Sequence, residues 1–119
     1  MRSVSYLYEI AKAAGRQPVS FEIFPPKGDL TLEAAHEVAA QLADLVPDFV
    51  SVTYSAGGSG NGHGGQTVAI AELIQNEAAT PAVAHFTCVS ATASLVATEV
   101  EALRAAGVET VLALRGDLA

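Results

Sequence analysis

Apolar positions along this chain alternate between two spacings. From Leu32 to Val46, residues Leu32, Ala35, Ala39, Leu42 and Val46 recur every three or four positions, which predicts a helix with Asp29 or Thr31 as a cap and Pro47 as a stop. Met1 to Gly15 shows the same amphipathic spacing, broken by Glu9 and Lys12. Val68 to Ala78 follows with Ile70, Leu73, Ile74 and Glu77, and Thr92 caps a last helix carrying Leu95, Val96, Val100 and Leu103 that Gly107 ends. Between the helices lie short runs rich in branched and aromatic residues. Pro18 to Phe24 is closed by Pro25-Pro26, and Asp48 to Tyr54, Pro81 to Val89 and Glu109 to Leu114 repeat the type. Strand and helix alternate throughout, which predicts an α/β fold with a parallel sheet and right-handed crossovers.

Successive side chains of a strand face opposite ways, so each strand can be divided by parity. The first strand separates Phe21 and Ile23 from Ser20 and Glu22; the second, Val50, Val52 and Tyr54 from Ser51 and Thr53. The third separates Ala84, Phe86 and Cys88 from Val83, His85 and Thr87, and the fourth Leu112 and Leu114 from Ala113, Arg115 and Asp117. Each strand is therefore expected to have one apolar face for a helix layer and a second that turns polar toward its C-terminal end. That is the pattern of an active-site rim at the C-terminal mouth of a parallel barrel. A polar strand end is often just approaching solvent. Agreement among four strands, in Glu, Thr, His, Arg and Asp, favours a site, because such groups are costly to enclose unless paired or used.

Composition narrows the setting. Half of the 119 residues are apolar, enough for one compact core and too many for a disordered chain. The net charge of −7, with no Lys or Arg cluster, argues against nucleic acid. No apolar run reaches the roughly 20 residues that span a bilayer, so no membrane is expected. Cys88 is the single cysteine, and a reducing, cytoplasmic location is the simplest expectation.

Gly60-Asn61-Gly62-His63-Gly64-Gly65, inside the loop Ser55 to Gln66, matches the dinucleotide fingerprint G-x-G-x-x-G literally. The loop is long, however, and no Asp or Glu closes the next strand to hold ribose hydroxyls. It also lacks the Gly-Lys-Ser/Thr ending of a phosphate loop, so its glycines read as flexibility where a ligand approaches the backbone. His85 and Cys88 alone do not make a metal site. Cys88 has no evident partner base and is expected to pack, while His36 and His63 are expected at the surface.

Read together, Ser20-Phe21-Glu22-Ile23-Phe24-Pro25-Pro26-Lys27, Phe49-Val50-Ser51-Val52-Thr53-Tyr54 with Ala56-Gly57-Gly58-Ser59, His85-Phe86-Thr87-Cys88 and Leu112-Ala113-Leu114-Arg115-Gly116-Asp117 resemble the methylenetetrahydrofolate reductase family. The resemblance implies a (β/α)8 TIM barrel, of which residues 1–119 supply the first half, about four strands. It implies an FAD enzyme in which NADH or NADPH reduces the flavin, which then reduces 5,10-methylenetetrahydrofolate to 5-methyltetrahydrofolate. It assigns Glu22 as the general acid that opens the folate ring, and the apolar neighbours Phe21, Ile23 and Phe24 offer a desolvated setting suited to that work. Asp117 becomes a carboxylate near flavin and pterin, and Thr53, Tyr54, Ala56, His85, Arg115 and Gly116 line the FAD. Arg115 offers a fixed fork of donors for a phosphate or flavin carbonyl. A homo-oligomer is expected at full length. After Gly57-Gly58-Ser59 the family usually carries charged residues, and the glycine run here departs from that pattern. An inactive barrel fragment or interaction module, and a nicotinamide dehydrogenase using the glycine loop, are the competing readings.

Overall fold

The computed structural model describes residues 3–25, 32–54, 64–89 and 91–116. Helix α1 (Val4–Ala13) starts where the Ser3 hydroxyl accepts the Tyr6 amide N–H at 3.3 Å. Then follow β1 (Ser20–Ile23), α2 (Leu32–Ala43), β2 (Phe49–Val52), α3 (Gly64–Glu72) with a π-helical extension (Leu73–Glu77), β3 (Ala82–Thr87), α4 (Ala93–Ala105) and β4 (Thr110–Leu114). Thr92 caps α4 as its spacing predicts, accepting the Leu95 amide at 3.1 Å. The Asp29 or Thr31 cap expected for α2 lies outside the described residues. At its other end α2 stops earlier than its apolar spacing suggests, because Val46 has left the helix at φ 53°.

The four strands are parallel and stand in the order β1-β2-β3-β4. Phe21, Val50 and Ala82 face one way with Ile23, Val52 and Ala84, and all pack with Ala39 of α2, Ile70 and Ala71 of α3 and Leu103 of α4. Helices α2, α3 and α4 therefore cover the same face. A sheet that advances one strand at a time with its helices on one side is singly wound, as in part of a (β/α) barrel. A dinucleotide-binding sheet reverses its strand order and carries helices on both faces, so the glycine run does not sit in a Rossmann frame.

The π-helical turn places two polar side chains where regular elements leave groups open. Gln75, 8% exposed, accepts the Ala82 amide N–H through Oε1 at 2.9 Å, and Asn76 Nδ2 donates to the Ala106 carbonyl at 3.0 Å. One buried side chain thus ties α3 to the start of β3, and its neighbour ties it to the end of α4. Farther along the same edge, Asp48 receives two hydrogen bonds from the Arg16 guanidinium, at 2.8 and 2.9 Å, and one from the Val19 amide at 2.8 Å. The chain entering β1 is clasped to the chain entering β2. Among the described residues no helix is long and apolar enough to cross a membrane.

Candidate active site

Glu22, Ser51 and His85 meet on the face that the helices leave open. The Ser51 hydroxyl donates to Glu22 Oε1 at 3.1 Å, and His85 Nε2 lies 3.3 Å from that same oxygen. Register explains the meeting: Glu22 stands opposite Ser51, Ser51 opposite Val83, and His85 follows Val83 by two positions. The His85 side chain is only 11% exposed, whereas that of Glu22 is 51% exposed. The desolvated setting expected for Glu22 is therefore absent, because Phe21 and Ile23 turn into the helix-side core and Phe24 is 74% exposed.

Serine, histidine and carboxylate also make up nucleophilic triads, but in those the histidine stands between the other two. Here both groups approach the carboxylate, and among the described residues no hydrogen bond joins Ser51 to His85. The arrangement orients a carboxyl group through its Oε1 oxygen.

Thr53 follows Ser51 by two positions and belongs to the same face. Its amide continues the ladder to the Ile23 carbonyl at 3.0 Å, and its own carbonyl accepts the Thr67 hydroxyl at 3.0 Å. Thr67 is 2% exposed and sits in the first turn of α3, which begins at Gly64, earlier than the expected Val68. The last residues of the predicted glycine loop are thus helical; its other residues, 55–63, lie outside the described residues, as do Ala56, His63 and Asp117.

Tyr54 turns the other way, packing its ring on Phe86 with centroids 5.2 Å apart. Burial pushes its phenol up, with Glu99 and Cys88 adding to the effect, and burial likewise pushes the Glu99 carboxyl up. The Tyr54 side chain is thereby separated from Glu22 and His85 by the sheet. His36 is exposed as expected and lies 2.8 Å from Glu77.

The fourth strand corrects the parity reading. His85 pairs with Leu112 and Thr87 with Leu114, so the two leucines share the open face, 45% and 39% exposed, while Ala113 stands opposite Phe86 on the helix side. Arg115 lies beyond the strand, exposed, and makes no ion pair with any of the described residues. Gly116 has φ 88°, and a Cβ there would meet Thr87 Cγ2 and lie 2.8 Å from Val89 Cγ1. Only glycine suits both the backbone and the space. Cys88, expected to pack, is exposed because it falls just past the end of β3. Ser51 and Thr67 are the polar residues at this rim that were not expected to serve it. Ser51 is legible as a polar residue on the face of Thr53, and Thr67 falls between the expected loop end at Gln66 and the expected helix start at Val68.

The family model for methylenetetrahydrofolate reductase matches residues 7–119. The chain belongs to the methylenetetrahydrofolate reductase family. Within it, the chain is 35% identical over 103 residues to "Methylenetetrahydrofolate reductase (NADH) 1" of Arabidopsis thaliana, covering 87% of this chain and 17% of that protein. It is 34% identical over 109 residues to the 5,10-methylenetetrahydrofolate reductases of Pectobacterium carotovorum subsp. carotovorum and Escherichia coli (strain K12), covering 92% of this chain and 36% of each relative. The chain thus spans about a sixth to a third of the length of these reductases. The sequential parallel sheet agrees with a part of a barrel in this reductase family.

Proposed function

We propose that residues 1–119 form the first part of the catalytic barrel of a cytoplasmic enzyme that reduces 5,10-methylenetetrahydrofolate to 5-methyltetrahydrofolate, using FAD and electrons from NADH or NADPH. The observation that carries this reading is the Glu22 carboxyl, held on the open face by Ser51 and His85 in a chain of this family. Glu22 donates a proton from its carboxyl to a ring nitrogen of the folate, the ring C–N bond breaks, and the resulting iminium carbon becomes a hydride acceptor.

The residues present fit a flavin. Thr53 and His85 offer a hydroxyl and an imidazole on one face, Arg115 offers an exposed guanidinium at the next strand end, and Gly116 brings backbone without a side chain to the rim. Ala56 and Asp117 join them by resemblance, with Asp117 beside the flavin and pterin. Tyr54 reaches such a ligand only through its backbone, since its ring is turned to the helix layer. When bound, FAD supplies the hydride chemistry that no side chain can. NADH is the donor named for the Arabidopsis relative.

Stopped-flow measurement of the two half-reactions on the flavin-loaded, full-length protein tests the acid. Glu22→Gln keeps shape and polarity but has no proton to give, so the folate step should fall about 100- to 10,000-fold. Flavin reduction by NADH should stay within a few-fold. Equal slowing of both half-reactions would refute the acid role.

A further inference from the structure

We infer that Ser51 is the positioning residue for the Glu22 carboxyl, fixing Oε1 so that Oε2 is the oxygen that carries and delivers the proton. The inference rests on the acid role proposed for Glu22 and adds to it a residue and an atom. Three observations on the open face carry it. Ser51 is 9% exposed, so its hydroxyl has little access to water, and it donates to Oε1 at 3.1 Å. His85 Nε2 stands 3.3 Å from that oxygen, which fills its surroundings on the β3 side. The Glu22 side chain is otherwise half exposed, so Phe21 and Ile23, packed on the far side of the sheet, cannot fix its rotamer.

The chemistry follows from the donor pattern. With a hydroxyl proton already aimed at Oε1, the carboxylic proton belongs on Oε2. On proton transfer the Oε2–H bond breaks, the new N–H bond forms on the substrate, and negative charge spreads over both carboxylate oxygens. A hydrogen bond to an ionised acceptor is stronger than one to a neutral acceptor, so the Ser51 donation strengthens as the proton leaves. Ser51 thereby holds the acid in one orientation and stabilises its conjugate base, acting through Glu22.

The test combines half-reaction kinetics with crystal structures of the flavin-loaded, full-length protein. Ser51→Ala should slow the folate half-reaction about tenfold, the scale of one hydrogen bond to a charged group, and leave flavin reduction by NADH within twofold. Ser51→Thr, which keeps the hydroxyl, should restore the rate. In a Glu22→Gln background, Ser51→Ala should cost nothing further, because its effect passes through the missing acid. Crystal structures should show Glu22 in one rotamer in the parent and in Ser51→Thr, and spread over several in Ser51→Ala. A selective folate defect in Glu22→Gln together with an unimpaired Ser51→Ala overturns the inference and leaves the acid role standing. Losses that add in the double variant, or a single Glu22 rotamer in Ser51→Ala, overturn it as well. If Glu22→Gln slows both half-reactions alike, the acid role itself fails and Ser51 has no proton donor to position.

Discussion

Removing the Asp48 carboxylate should loosen the start of the sheet, and the structure indicates by how much. Asp48 Oδ2 accepts both the Val19 amide and one Arg16 nitrogen, and Oδ1 accepts the other. Its side chain is 6% exposed, whereas that of Arg16 is 48% exposed. The guanidinium can return to water, but the Val19 amide loses its side-chain acceptor. A hydrogen bond to a charged group contributes about 1.5–3 kcal/mol, so Asp48→Ala should destabilise the full-length protein by about 2 kcal/mol. Asp48→Asn keeps an oxygen for Val19 and should cost less. The Arg16 and Val19 bonds hold the Asp48 carboxyl below its ordinary range. A carboxylate so depressed stabilises the fold above its unfolded-state value near 3.9, and that contribution fades as pH falls through the lower folded value. Urea unfolding at pH 7 and at several acid pH values measures both effects. Parent and Asp48→Asn should converge in acid. A gap between them that stays constant from neutral pH to pH 3, or an alanine variant as stable as the parent, would refute the clasp.

Three other outcomes follow from the packing. Gly116→Ala should fold less stably, because its Cβ collides with Thr87 and Val89 at a positive φ; the denaturant midpoint of the full-length protein checks it. Gln75→Ala should destabilise by about 1–3 kcal/mol by leaving the Ala82 amide without its acceptor, whereas Asn76→Ala, exposed, should cost less; denaturant midpoints compare the two. The isolated 119-residue chain should self-associate or melt without a sharp transition, since β1 and β4 each lack a second neighbour among the described strands and Leu112 and Leu114 face outward. Light scattering that shows a monodisperse monomer would count against this.

The sequence carries the parallel α/β order and the face of Glu22 because its spacings are strong: helical stripes contrast with short branched runs, and Glu22 alternates cleanly with Phe21 and Ile23. The fourth strand shows where such reading fails. Thr110-Val111-Leu112-Ala113-Leu114 is apolar at nearly every position, so parity has no contrast to work on, and the face is set only by pairing with β3. The π-helical turn after Glu72 has no mark in the apolar pattern, which continues through Ile74. Apolar chain neighbours do not enclose Glu22, because alternation sends Phe21 and Ile23 to the opposite side of the sheet. Ser51 was legible as a polar residue on the right face, but its role depends on a lateral register that a single strand does not encode.

Sequential strand order has one more consequence. When a sheet that grows in chain order closes into a barrel, its first strand must meet its last, so with residues 1–119 as the first part proposed above the seam runs along β1. Glu22 is carried by that seam strand, while His85 rides on β3, which is paired on both sides. In the role proposed for Glu22, the acid thus stands on the seam strand and its histidine neighbour two strands inside the sheet. A displacement of β1 relative to β3 would change the 3.3 Å separation of Glu22 and His85, so that contact ties the setting of the carboxyl to the position of the seam strand.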